Sequence, residues 1–94
     1  MGRKSKYTLV HLKKLAKKAF GVGGTWSDMN EFERVLSHID PSNVYLDNGD
    51  YVFKYKGRYY RIYTRNGSIR QISKRRAQEL IGKKEYIGWR LRLM

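Results

Sequence analysis

The stretch from residue 51 to residue 72 constrains the fold most, because it alternates apolar and polar residues between short turn signals. Three runs, at 51–55, 58–64 and 69–72, are rich in aromatic and β-branched residues, and Lys56-Gly57 and Asn66-Gly67 separate them. This pattern predicts an antiparallel meander. A short apolar run at 44–46, followed by an Asn48-Gly49 turn, predicts a further strand in front of it.

Turn length sets the register of a hairpin, so both turns predict which residues face each other. We treat Lys56-Gly57 and Asn66-Gly67 as two-residue turns. The expected pairs are Tyr55–Arg58, Lys54–Tyr59, Phe53–Tyr60, Val52–Arg61 and Tyr51–Ile62 in the first hairpin, and Thr64–Ile69, Tyr63–Arg70 and Arg61–Ile72 in the second.

The register divides the sheet into a core face and a basic face, since side chains alternate along a strand. We expect the basic face to lie open, without any acidic side chain, and to bind bases by stacking and phosphates by charge. Cross-strand cation–π pairing on a solvated face is the alternative explanation. The core face holds Tyr51, Phe53, Tyr60, Ile62 and Ile69, and the basic face holds Lys54, Tyr59, Arg61, Tyr63 and Arg70, with Val52 and Ile72 at its margin.

A helix is predicted at 7–20, where apolar residues recur at helical spacing and a glycine-rich segment follows. Its opposite side carries four lysines within six positions. Like charges three or four residues apart on a helix repel each other, so a phosphate-facing surface explains this cluster better than helix stability does. The lysines are Lys13, Lys14, Lys17 and Lys18.

A second helix is predicted at 25–39, capped by Thr25 with Asp28 and stopped by Pro41. Its segment is acidic, which argues against a helix-turn-helix motif because an acidic recognition helix would be repelled by DNA. The helix at 28–39 is instead a candidate surface for a protein partner or for self-association.

A third helix is predicted at 73–81, with Ser73 as its N-cap and Gly82 as its end. Three cations, Lys74, Arg75 and Arg76, occupy its first turn, where the helix dipole disfavours positive charge. A bound phosphate would reverse that effect, so we predict a phosphate site here. A solvated run of charge is the alternative.

We expect residues 7–94 to form a single α+β domain, preceded by a basic flexible arm at 1–6. Two N-terminal helices pack on a three- to four-stranded antiparallel sheet, followed by a short helix and a C-terminal strand. That strand is predicted from the alternation of Ile87, Trp89, Leu91 and Leu93.

Charge is distributed in three blocks that together give a net charge of +13 over 94 residues. Residues 1–27 hold seven basic and no acidic side chains, residues 28–50 hold one basic and six acidic, and residues 51–94 hold thirteen basic and two acidic. A polyanionic partner would relieve the repulsion within each basic block. Nucleic acid, either DNA or RNA, is therefore the expected ligand.

Composition excludes several classes of function. The chain has no cysteine, which removes disulfides, cysteine-bound zinc and thiol catalysis. The sequence shows no membrane span and no secretory signal, so we expect a cytoplasmic protein that needs no metal or cofactor.

Two alternatives to non-catalytic nucleic-acid binding remain open at this point. One is a protein-interaction module, such as a phage or mobile-element regulator that binds an acidic host protein or a ribonucleoprotein. The other is a small metal-independent ribonuclease of the toxin type. It would have to use His11 or His38, neither of which lies in a catalytic motif, or tyrosines with strongly lowered pKa values.

Overall fold

The computed structural model describes residues 7–82, which form a helix–sheet–helix sandwich. The expected arm at 1–6 and the expected C-terminal strand lie outside the described residues. The elements are α1 (Leu9–Ala19), α2 (Trp26–Ile39), β1 (Val44–Tyr45), β2 (Tyr51–Tyr55), β3 (Arg58–Tyr63), β4 (Ser68–Ile72) and a helical segment at 74–82, here α3. The α+β class with two N-terminal helices and an antiparallel meander is confirmed.

Both N-terminal helices begin at threonine caps. The Thr8 hydroxyl accepts a hydrogen bond from the His11 amide, and Thr25 and Asp28 form a reciprocal capping box. Each helix buries one apolar stripe against the core face of the sheet. The shared core consists of Leu12, Ala16, Phe32, Val35, Leu36, Phe53, Tyr60, Ile62 and Ile69.

The four strands follow one another in the order β1-β2-β3-β4. Every predicted pair of the β2–β3 hairpin is confirmed. Lys56 and Gly57 both adopt positive φ angles, which is the conformation that a two-residue type I′ turn requires.

The predicted register of the β3–β4 hairpin is wrong by two residues. Tyr63 pairs with Ser68 and Arg61 with Arg70, so the loop contains four residues instead of two. The Tyr63 carbonyl accepts hydrogen bonds from the amides of both Asn66 and Gly67, which closes this longer loop. A shift of two leaves every side chain on its predicted face, so the division into two faces survives.

Segment α3 packs across the face of the sheet that α1 and α2 leave uncovered. Ala77, Leu80 and Ile81 contact a second apolar cluster that includes Val52 and Leu46. Val52 is fully buried there, so it belongs to a core and does not lie at an open margin. Gly82 is the last helical residue that the structure describes, and the residues after it lie outside the described part of the chain.

Candidate nucleic-acid interface

The outer face of the sheet is divided between an apolar half and a polar half. Segment α3 covers the half around Val52, Tyr59 and Ile72. Arg61, Tyr63 and Arg70 lie in the half towards the β3–β4 loop. The predicted open face is therefore only half open, and the accessible half is its arginine-rich end.

Asp50 lies on this polar half, which corrects the expectation that the face carries no acid. One Asp50 carboxylate oxygen accepts hydrogen bonds from Nε and Nη2 of Arg61, at 3.0 and 2.8 Å. The other oxygen accepts from the Thr64 amide at 3.1 Å and from its hydroxyl at 3.3 Å. The paired side chains of Asp50 and Arg61 are only 12% and 13% exposed. Arg61 thus ties the start of β2 to β3, and its charge is already neutralised.

A concave surface of about 550 Å³ opens beside this ion pair. Two of its cations, Arg65 and Arg70, form no ion pair with any acidic side chain among residues 7–82, and both are exposed. We call this surface the arginine hollow. Its lining consists of Asn48, Asp50, Arg61, Tyr63, Arg65, Asn66, Ser68 and Arg70.

The loop that carries Arg65 is rigidly built. The Asn66 carboxamide oxygen accepts hydrogen bonds from the amide and the hydroxyl of Ser68, at 3.0 and 2.8 Å. Gly67 adopts a φ of +76°, which favours glycine. The sequence pattern predicted only a turn in this segment and did not indicate Arg65 as a site residue. The one signal for Arg65 was its place beside the Asn66-Gly67 turn, at the end of the basic face.

Gly67 also joins this loop to α1. A methyl group placed on Gly67 would lie 2.4 Å from the Ala16 carbonyl oxygen and 2.8 Å from Cα of Lys17. The backbone of the loop therefore rests directly on the C-terminal half of α1, beside one of the predicted lysines. Lys13 and Lys14 lie one turn earlier on the same helix and are exposed, as Lys17 is.

Lys18, the fourth lysine of this helix, pairs with Asp28 at 3.5 Å across the α1–α2 junction. The charge of Lys18 is only partly compensated, because the Asp28 carboxylate also accepts the hydrogen bonds of the α2 capping box. Hydrogen bonds from Thr25 and the charge of Lys18 lower the pKa of Asp28. The three other lysines have no acidic partner within the described part of the chain.

The remaining predicted residues of the sheet face contact each other. The Lys54 ammonium lies 5.5 Å from the centre of the Tyr59 ring, and the Arg61 guanidinium lies 4.9 Å from that of Tyr63. Both distances are typical of cation–π contacts. Tyr59 also packs against α3, so it is less accessible to a base than Tyr63, which lines the hollow.

The first turn of α3 has an internal partner for two of its cations. Arg75 and Arg76 reach Glu79 at 3.9 and 3.3 Å, and the Ser73 hydroxyl accepts a hydrogen bond from the Arg76 amide. Ser73 is the predicted N-cap, and Lys74 is exposed beside it. None of these residues lines the arginine hollow, so the structure does not bring this cluster together with Arg65 and Arg70.

Several of the residues that the two alternative functions would use have contacts within the fold. His38 stacks on Tyr7 with ring centres 4.3 Å apart. Burial and nearby Glu33 raise the pKa of Tyr51, which lies on the core face. Within residues 7–82, no three His, Asp or Glu side chains converge to hold a metal ion.

The acids of α2 are also partly neutralised. Glu31 forms an ion pair with Arg34 on the same helix, and Asp28 pairs with Lys18. Glu33 is the helix acid that retains no ion pair within residues 7–82.

Comparison with protein-family models, with curated proteins and with solved structures finds no match to this chain. No helix in the described part of the chain is long and apolar enough to cross a membrane.

Proposed function

We propose that the protein binds nucleic acid without catalysis, through a basic tract that runs from α1 across the β3–β4 loop into the arginine hollow. The tract consists of Lys13, Lys14, Lys17, Arg65 and Arg70. The contact of Gly67 with the backbone of Lys17 carries the proposal, because it brings the loop that holds Arg65 against the helix that holds the lysines.

The chemistry of the tract suits a phosphate backbone. Arginine presents a planar fork of donors that matches phosphate oxygens, and lysines add charge without a fixed geometry. Arg65 and Arg70 border a concave surface that also offers the Ser68 hydroxyl and the Tyr63 ring. Arg61 contributes less to the ligand than its position suggests, since Asp50 holds it from within the fold.

Binding assays with charge-reversed variants test the proposal. Fluorescence anisotropy measures the affinity of wild type for single- and double-stranded DNA and RNA. The double variant Arg65→Glu, Arg70→Glu removes the hollow's free charge. The double variant Lys56→Glu, Arg58→Glu is the matched control, because it makes the same change in charge at two exposed cations at the opposite end of β3.

We expect Arg65→Glu, Arg70→Glu to bind the preferred nucleic acid more than about tenfold more weakly, and the control of equal charge, Lys56→Glu, Arg58→Glu, less than about threefold more weakly. Equal losses in both variants would show that binding follows net charge and not the tract. A wild-type protein that binds none of the four ligands would remove the proposal and favour a protein partner, for which the acidic helix α2 remains the alternative surface.

A further inference from the structure

The turn between α1 and α2 holds two apolar side chains in solvent. Trp26, the first residue of α2, is 83% exposed, and Val22 at the tip of the turn is fully exposed. Aromatic side chains normally stabilise a fold by being buried, and an exposed one gives little of this stabilisation. This position therefore contributes little to the core.

Glycines build the turn so that this exposure is fixed. A methyl group on Gly21 would lie 2.5 Å from the Lys17 carbonyl oxygen, and one on Gly24 would lie 2.4 Å from that of Ala19. Gly23 adopts a φ of +84°, a conformation that other residues rarely take. The turn folds tightly onto the end of α1 and fixes the backbone that leads to Trp26, so little loop ordering remains to be lost on binding.

Charges of both signs lie near Trp26, namely Asp28 on α2 and the lysines at the end of α1. Lys18 reaches Asp28 in the first turn of α2, which places the lysine-bearing end of α1 beside the start of that helix. The same end of α1 contacts Gly67 of the β3–β4 loop. The start of α2, which carries Trp26, and the loop that carries Arg65 therefore both adjoin the C-terminal part of α1.

We infer that Trp26 is a stacking site for an unpaired base, and that the preferred ligand is a single strand whose backbone follows the basic tract. This inference rests on the proposed function and specifies its ligand class. Stacking on an aromatic ring, next to cations that track the backbone, is the arrangement by which proteins bind single strands without reading sequence. The stacked bases of a duplex offer no free face to the indole.

The small apolar area favours this ligand over a protein partner. A tryptophan buries at most about 250 Å² and one valine adds little, whereas a stable protein interface needs roughly 800 Å² on each partner. The neighbouring lysines also favour a polyanion over an uncharged surface.

Variants at Trp26 provide the test, with oligothymidylate and a DNA duplex of equal length as probes. Trp26→Ala is expected to weaken binding to oligothymidylate about tenfold while the affinity for the duplex changes less than about twofold. Trp26→Phe retains a ring and should keep most of the affinity. Val10→Ser, which removes an exposed apolar side chain at the other end of α1, is the matched control and should change neither affinity.

Fluorescence provides a second readout that does not depend on a loss of affinity. In a Trp89→Phe background Trp26 is the remaining tryptophan. Oligothymidylate should quench its emission, and the duplex should not. Absence of quenching, or an equal loss of affinity for both probes in Trp26→Ala, overturns the inference.

Other outcomes would indicate that Trp26 contacts a different kind of partner. A blue shift with anionic lipid vesicles but no response to oligothymidylate would indicate a membrane surface. A concentration-dependent dimer that Trp26→Ala abolishes would indicate a second copy of the chain. If Trp26→Ala leaves the affinity for oligothymidylate unchanged while Arg65→Glu, Arg70→Glu weakens it, only this inference fails. If wild type binds no oligonucleotide at all, the proposed function fails as well.

Discussion

Asp50 fixes the geometry of the arginine hollow. It accepts hydrogen bonds from the Arg61 side chain with one oxygen and from Thr64 with the other, and it is almost fully buried. Removing one partner of such a pair leaves an uncompensated charge in a weakly solvated place. The residue that positions the hollow is thus an acid, although the surface it supports is basic.

Asp50→Asn should destabilise the fold by about 2–3 kcal/mol, because the Arg61 guanidinium loses its counter-charge. Urea unfolding of the variant and of wild type measures the difference. Asp47→Asn, which alters an exposed acid of the same loop, should change stability by less than about 0.5 kcal/mol. If Asp50→Asn lowers the free energy of unfolding no more than Asp47→Asn does, the Asp50–Arg61 ion pair contributes nothing to stability.

Gly67 is required for two separable reasons, its left-handed backbone and its contact with α1. Gly67→Ala should cost about 3 kcal/mol, since the new methyl group overlaps the backbone of Ala16 and Lys17 in addition to the strain at positive φ. Gly57→Ala has a similar φ but no atom within 4 Å, so it should cost only about 1 kcal/mol. Equal unfolding midpoints in the two variants would contradict the close approach of the loop to α1.

At the scale of elements, the sequence predicted helices, strands and faces well, and one hairpin register poorly. Alternation determines which face a side chain occupies, and a shift of two residues leaves that unchanged. Alternation therefore could not distinguish a two-residue Asn66-Gly67 turn from the four-residue loop that the Tyr63 carbonyl closes.

The candidate site was predictable only in part. The basic lysines of α1 and the basic face of the sheet follow from local spacing. Three features depend on contacts between distant segments of the chain. These are the pairing of Asp50 with Arg61, the cover that α3 gives to Val52, and the contact of Gly67 with Lys17. No local pattern encodes such contacts.

The capping box of α2 makes a pH-dependent contribution to stability. Hydrogen bonds from Thr25 hold the pKa of Asp28 below its ordinary value of 3.8. A carboxylate with a lowered folded-state pKa stabilises the fold above its unfolded pKa, and that contribution disappears as the pH falls through the folded value. Wild type should therefore be more stable than Asp28→Asn near neutral pH.

The two proteins should converge in stability as the pH is lowered below about 3.8. Unfolding midpoints followed by circular dichroism across this range provide the measurement. A constant difference between wild type and Asp28→Asn down to the lowest pH would show that the ionised form of Asp28 gives no stability.

For the whole molecule, the described residues separate paired from unpaired charge. Arg34, Arg61, Arg75, Arg76 and Lys18 form ion pairs with acids of the chain. Arg65, Arg70 and the three unpaired lysines of α1 form none, and the β3–β4 loop that carries Arg65 contacts α1. Among residues 7–82, ion pairs are also absent at Lys54, Lys56, Arg58 and Lys74, so the lack of a partner does not by itself define the proposed tract. The contact of the loop with α1 distinguishes the tract from these other cations.

The dependence of binding on salt tests this account most directly. Five phosphate contacts predict that log K falls with log salt at a slope of about −4.5 for a duplex or about −3.5 for a single strand. Replacing Arg65 and Arg70 by alanine should make the slope shallower by about 1.4–1.8, whereas replacing Lys56 and Arg58 by alanine should leave it unchanged. A slope near zero for wild type, or equal changes in the double variant and the control, would contradict binding through the basic tract.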